Sequence, residues 1–329
     1  MDLRPFLAIR PLRTATACGL GATACSRLAD SPLWRGRAHE LGRWTAARQL
    51  RGRHTGLWGY EFDVQTRWGY YPSSMPNIVA TTFCADGCLD SGTLDGGGAE
   101  RLAAGLLDGL YTGTHFAYTP ASGTLIHNAN LMGAALATRL AFLDGMPRPL
   151  ASRLLDAART AVSATVAGQR PDGAWPYGTS ASLGWVDGFH TGYVLLRLEA
   201  AARGLGLEHD KAIDSGVRYY LDHLFDGPVP CYYADEKPDR RGRICGDPNN
   251  DATAVRMATW VEEHGYVRPG FAERVLAAVS GFVPQQARRP GAPVGQSALT
   301  GPPVRRSPRW SLAPLLDALT ALQAARGAG

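Results

Sequence analysis

Two kinds of apolar pattern alternate along the chain. Five segments open on a polar or aromatic turn and run into small and apolar residues: PNIVATTFCADGCLD (76–90), IHNANLMGAALATRLAFL (126–143), GWVDGFHTGYVLLRLEAAA (184–202), PNNDATAVRMATWVEE (248–263) and SPRWSLAPLLDALTALQAA (307–325). Their starts recur roughly every 50 to 60 residues, the mark of an internal repeat. In the third, Phe189, Tyr193, Leu196 and Ala200 form one stripe at helical spacing, while Val194, Leu195 and Leu198 make other faces apolar too. A helix apolar nearly all round is buried. The stretches between are amphipathic, as in 148–169, 210–225 and 269–283, with charge on one face and Leu, Val or Ala on the other. That is the pattern of an outer helix. Buried and half-exposed helices joined in hairpins predict an all-α, α/α toroid of five to six helical hairpins. It forms a single domain over 1–329, with Thr14–Leu28 supplying part of the sixth hairpin and the boundaries of 1–55 least defined. GTHFAYTP (113–120) and PVPCYYAD (228–235) carry weak strand signals and read as short hairpin or loop pieces.

Composition narrows this picture. Over 329 residues, 45% hydrophobic and 19% charged content is that of a folded chain. No run of 18 apolar residues is present, so no membrane-spanning helix is expected. The formal charge of +5 is mild for this length. It favours an anionic small molecule or glycan over nucleic acid, whose binders carry a basic stripe. Only Lys211 and Lys237 are lysines among 34 basic residues, so arginine dominates. Codon bias accounts for that, and arginine forks also suit oxyanions where they line a pocket. The six cysteines form no C-x-x-C motif; Cys84 and Cys88, at i and i+4, read as small helix-packing hydrophobes. Arg10, Pro11 and Arg13 interrupt the N-terminus, so a cytoplasmic protein with reduced thiols and no secretory leader is expected.

Hairpins inserted in one sense place the buried-helix starts at one end. There the sequence puts Asn77, Thr81, His127, Asn128, Asn130, Asp187, His190, Asn249, Asn250, Asp251 and Arg309. Helix N-termini offer N–H donors and positive potential, which would favour an anionic group. Several of these residues are equally caps, Asp187 and Asn250 foremost. Asp187 and His190, at i and i+3, share a helix face, so the carboxylate can orient the imidazole for proton transfer. His127 and Asn130 have the same spacing, and an amide can hold developing negative charge. Asp251 offers a further acid.

DGAWPYG (172–178) reads as a turn fastening adjacent hairpins; Trp175 or Tyr177 can also wall a sugar or a cation. GLWGYEFDVQTRWGYYPSSMPN (56–77) mixes Trp58, Trp68 and tyrosines with Glu61 and Asp63, which suits either a carbohydrate subsite with a second carboxylate or a loop packed over the toroid mouth. The arginine runs at 240–243 and 305–309 read as solvated loops, with Arg309 placed to bind an anion.

The long segment QRPDGAWPYGTSASLGWVDGFHTGYVLLRL (169–198) resembles the signature of VpsJ-like, polysaccharide-biosynthesis-associated α/α-toroid proteins. The likeness extends over PNIVATTFCADGCLD, GTHFAYTPASGTLIHNANLMGAALATRL and RRSPRWSLAPLLDALTAL, most of the chain from about residue 56 onward. It implies the six-hairpin toroid shared with terpenoid cyclases, prenyltransferase subunits and sugar epimerases, and leaves the reaction open. GDPNNDATAV (246–255) departs from the pattern: Asp251 stands where an Asp-x-His-like segment is expected, without the histidine.

No DxDD, DDxxD, Walker, G-x-G-x-x-G, HExxH or G-x-S-x-G motif occurs. These readings converge on a biosynthetic enzyme of secondary metabolism that needs no cofactor or metal. Asp187, His190, His127 and Asp251 transfer protons to or from a polar, anionic small substrate. Asn77, Asn128, Asn130, Trp175, Tyr177, Asn250, Arg309, Trp58, Glu61, Asp63 and Trp68 bind it. The expected reaction is ring closure, elimination of a sulfate- or phosphate-type leaving group, or epimerisation. The alternatives are a carbohydrate-active enzyme of polysaccharide biosynthesis and a non-catalytic scaffold bound to a partner protein.

Overall fold

The computed structural model describes residues 12–65, 69–234, 247–280 and 312–327. Eleven α-helices occur among them: α1 (Ala15–Ser26), α2 (Pro32–Ala46), α3 (Ile78–Asp90), α4 (Gly96–Gly109), α5 (His127–Ala141), α6 (Arg148–Ala167), α7 (Gly188–Leu205), α8 (Asp210–His223), α9 (Pro248–Glu263), α10 (Phe271–Ser280) and α11 (Ala313–Gly327). The odd-numbered helices pack in the closed order α1–α3–α5–α7–α9–α11–α1, and the even-numbered ones lie outside them. Five hairpins are complete, and α11 closes the inner ring. This is the predicted α/α toroid, with the sixth inner helix at the N-terminal segment that the periodicity marked. The strands are two-residue pairs, Val64–Gln65 with Tyr70–Tyr71 and Phe225–Asp226 with Val229–Pro230, both within connections. No described helix is long and apolar enough to cross a membrane.

The side-chain pattern explains the two layers. In α5 all but two residues are buried, and α3 buries apolar groups on several faces, Cys84 and Cys88 among them. The outer α8 buries only Ile213, Gly216, Val217, Tyr219 and Tyr220 and leaves its other face to water. Helix starts are set by side-chain caps: Thr14, Asn77, Asp95, Asp187 and Asp247 each accept an N–H of the first turn. Proline at the start of α2, α6 and α9 adds a pre-set φ. Gly206, at φ +62°, ends α7 in the left-handed conformation.

Connection length separates the two ends. Inner-to-outer turns take four to seven residues, whereas the described outer-to-inner connections (47–77, 110–126, 168–187) are several times longer. These three long connections therefore gather where the inner helices begin, and build a mouth there. Long connections of this kind carry function more often than short ones.

The inner ring closes through small residues. A Cβ on Gly87 of α3 would stand 2.3 Å from the Gly19 carbonyl oxygen of α1, and one on Gly19 would stand 2.4 Å from the Phe83 oxygen. Backbone cannot yield as a side-chain tip can. Gly87→Ala is expected to destabilise by about 1–3 kcal/mol, enough to outweigh the helix-propensity gain. Gly36→Ala in α2, where nothing lies within 4 Å, should instead hold or raise stability. Paired thermal melts followed by circular dichroism check the opposite signs.

Candidate active site

The mouth is built by one device used repeatedly. In the first long connection Trp58 is 1% exposed and its indole N–H donates to the Thr45 carbonyl, in the last turn of α2, at 2.9 Å. In the third, Trp175 is 1% exposed and donates to the Thr165 carbonyl, in the last turn of α6, at 2.8 Å. Each carbonyl also accepts a backbone N–H of its helix end, from Arg48 and from Gly168, so the indole takes a second lone pair and ties a loop to an outer helix. Phe116 takes the buried place in the second connection. Two residues beyond each anchor stands a tyrosine: Tyr60, Tyr118 and Tyr177. In extended backbone that offset returns to the same side of the chain, and these three are half-buried. Tyr60 and Tyr118 bring their hydroxyls to 3.4 Å, Tyr71 packs against Tyr118 at 5.6 Å, and Tyr177 lies close enough to feel Tyr60 and Tyr71. Burial, then neighbouring hydroxyls, pushes the Tyr118 and Tyr177 phenols up, so both stay protonated donors at neutral pH.

Against this tyrosine group sits the dyad that the i, i+3 spacing predicts. His190 Nδ1 donates to Asp187 Oδ2 at 2.7 Å, while Asp187 Oδ1 accepts the His190 backbone N–H at 2.7 Å. The Trp185 indole donates to Asp187 Oδ2 at 2.9 Å. Burial drives the Asp187 carboxyl upward, but His190 and these donors hold it below the ordinary value, so it is ionised. Asp187 is thus both cap and orienter, and both readings of that residue hold. The His190 ring packs on Tyr177 at 4.4 Å and Phe189 at 4.7 Å, and its side chain is 22% exposed. Its Nε2 makes no hydrogen bond among the described residues. An imidazole fixed through Nδ1–H with an open Nε2 is arranged to take a proton and stabilise the resulting cation.

The other expected site residues divide. Asn128 stands about two turns before Ala135, and Asn249 about two turns before Arg256, so each shares a helix face with a residue that lines the lumen, though neither amide lines that cavity itself. Asn128 Oδ1 and Asn249 Nδ2 are buried without a partner, as groups awaiting a polar ligand would be. His127 does not face the lumen. Its ring lies against α6, 3.4 Å from the Thr165 hydroxyl, where Gly168 leaves room for it. Burial lowers its pKa to about 4. Asn130 bonds the Ala161 carbonyl, the Thr165 hydroxyl and the Phe116 N–H, a purely internal set. Asn250 donates to the Cys231 carbonyl, and Asp247, not Asn250, caps α9. Asn77 caps α3. Trp58 and Trp175 are core anchors and present no face to a substrate. Glu61 accepts the Ala15 N–H at the start of α1, and Asp63 braces its own loop through Tyr70 and Ser73. Trp68, Arg309 and the arginines of 240–243 and 305–306 lie outside the described residues.

Asp251 is on the side of α9 away from the lumen, in the stripe of Val255, Ala258 and Glu262, whose carboxylate bonds the Gly270 and Ala272 N–H groups of the outer layer. It therefore does not join His190.

Four inner-helix starts carry a carboxylate or amide that accepts a first-turn N–H, from Glu61, Asn77, Asp187 and Asp247, whereas α5 has no side-chain cap. Tyr118, Trp185 and Phe189 join Tyr60 of the aromatic 56–77 segment in the mouth without having been expected there, although the repeated aromatic-x-Tyr spacing at 58–60, 116–118 and 175–177 marks three of its tyrosines. No group of three or more His, Cys, Asp or Glu side chains suited to a metal ion occurs among the described residues.

Neither family models nor curated proteins match this chain. The VpsJ-like resemblance is therefore carried by its motifs alone. Solved structures do match. A cellobiose 2-epimerase from Bacillus thermoamylovorans B4167 superposes with a TM-score of 0.66 at 12% identity, covering 95% of this chain and 87% of that one. A polysaccharide lyase gives 0.60 at 14%, covering 95% and 90%. A type II terpene cyclase from Scytonema gives 0.55 at 15%, covering 95% and 87%. At such identities the likeness is one of fold: the structural neighbours are α/α-toroid enzymes.

Burial and the neighbouring Asp247 raise the Asp251 pKa to about 8. A carboxyl raised in the fold contributes stability that is complete below its unfolded pKa, near 4, and is lost as pH rises through 8. Asp251→Asn should therefore melt close to the parent at pH 4 and increasingly above it up to pH 8. A difference independent of pH would contradict this assignment.

Proposed function

We propose that this protein is an acid–base enzyme of the epimerase or lyase type, with His190 as the proton-transferring group and Asp187 as its orienting carboxylate. The observation that carries the reading is the 2.7 Å Nδ1–carboxylate bond, which leaves Nε2 open beside the tyrosines of the mouth. A base of this kind removes a proton next to an electron-withdrawing group. Its conjugate acid then returns the proton on either face, or the leaving group departs. Such catalysis contributes about 10²–10⁴ in rate.

The lining indicates the substrate class. Phenol hydroxyls, aromatic faces and unpaired amides suit a polyhydroxylated, sugar-like molecule, whose hydroxyls take hydrogen bonds and whose C–H face lies on a ring. The carboxylate caps at the helix starts make this mouth a poorer host for an anion. The carbohydrate reading is therefore preferred here to the anionic one. The epimerase and the lyase among the structural neighbours give it support at the level of reaction type. Ring closure or elimination with a sulfate- or phosphate-type leaving group is kept as the second reading, favoured by the arginines deeper in the lumen.

A solvent-exchange assay tests both. Reducing disaccharides and uronate oligosaccharides incubated with the enzyme in D2O should gain deuterium at the carbon that loses its proton, read by mass spectrometry. His190→Ala should slow incorporation by about 10² or more, and Asp187→Asn should do so while keeping the fold. Tyr177→Phe should mainly raise KM. Undiminished exchange in His190→Ala would remove the assignment. Sulfate or phosphate release from an anionic substrate, without exchange into sugars, would favour the second reading.

A further inference from the structure

Beyond Phe83 and Tyr193, whose rings meet edge to face at 5.7 Å, the lumen widens into a cavity of about 870 Å³ toward the C-terminal ends of the inner helices. The proton transfer proposed at His190 for a sugar-like substrate does not use it. Charged side chains from around the ring line it, among them Arg27 just past α1, Asp86 and Asp90 of α3, Arg139 of α5, Arg197 of α7, Arg256 of α9 and Asp317 of α11. These groups are paired unevenly. Arg27 bonds Asp317 at 2.7 Å, Arg197 bonds Asp86 at 2.8 Å, and Arg139 bonds Asp86 at 3.1 Å and Asp90 at 2.6 Å. Arg256 reaches Asp317 only at 3.7 Å through Nε, too far for a hydrogen bond.

Arg256 donates no hydrogen bond among the described residues, although a guanidinium carries five N–H donors. Its side chain is 30% exposed. Arg27, Arg139, Arg197 and Arg256 face Asp86, Asp90 and Asp317; Arg203, 75% exposed, pairs with Glu199, and the exposed Glu263 also lines the wall. Burial lowers the Arg256 pKa despite Asp317, consistent with a cation short of partners. Phe83, Leu196 and Trp260 supply apolar wall.

We propose that this cavity is a second binding site, for a small molecule with an oxyanion head and an apolar body, anchored by the unused fork of Arg256. A planar guanidinium takes two oxygens of phosphate, sulfate or carboxylate at once. The site lies at the opposite end of the lumen from His190 and stands independently of that residue's role.

Calorimetric titration of the full chain at low salt tests the site, with phenyl phosphate, phenyl sulfate and benzoate to distinguish the head group and inorganic phosphate to isolate it from the ring. At least one aryl probe should bind one per chain, more tightly than inorganic phosphate and less tightly as salt rises. Arg256→Gln should weaken it by about tenfold or more. Leu196→Trp, which fills the space without touching charge, should also weaken it, so that the test survives a poorly folded Arg256 variant. His190→Ala and the exposed Arg153→Gln should leave it unchanged. The proposal is overturned if no probe saturates up to about 5 mM, a concentration at which even weak specific sites show. It is overturned as well if binding survives both cavity variants or is lost in His190→Ala.

Discussion

The mouth of this toroid depends on buried aromatic anchors, clearest in the indole N–H that a loop tryptophan donates to the last turn of an outer helix. The bonds from Trp58 to Thr45 and from Trp175 to Thr165 tie two long connections to the outer helices beside them. Each bond also gives a buried indole N–H the partner it would otherwise lack. The anchor sets the phase of the chain, and the phase delivers a tyrosine two residues later. Tyr177 in turn packs on His190, so the orientation of the candidate base is linked to an indole buried against another helix.

Charge is distributed along the lumen in the sense that helix dipoles favour. Acids and amides sit at the starts of the inner helices, where Asp187, Asp247, Asn77 and Glu61 meet the positive ends. Arginines gather toward the other end, with Arg27 just past α1 and Arg139 and Arg203 in the last turns of α5 and α7. One consequence is chemical. The mouth becomes a place of hydroxyls, aromatic faces and one histidine, while the capacity to bind anions moves to the far side of Phe83 and Tyr193. At the mouth, negative or amide caps already stand at four of the inner-helix starts, which makes that end a poorer place for an anion than the polar starts suggest.

Legibility differed by residue. Asp187 and His190 were readable because their contact is local: three positions on one helix fix it. Asp251 and His127 were equally polar and equally near helix starts, yet they point outward, because the direction of a helix position depends on which face meets the ring. Arg139, Arg197 and Arg256 stand in the sequence as arginines within inner helices, but no local spacing says that they share one cavity. The paired aromatic-x-Tyr segments were visible as a spacing, but their meaning lay in the anchors.

The chain's own pattern determined the helices, their alternation between layers, the toroid and the Asp187–His190 dyad, because each follows from periodicity or from contacts within a few residues. Only the tertiary structure decided which polar side chains share a space. Closure of the ring joins residues from six helices far apart in the chain, and no local spacing records the rotation of one helix against the next. That rotation turned His127 and Asp251 away from the lumen and left Arg256 facing it.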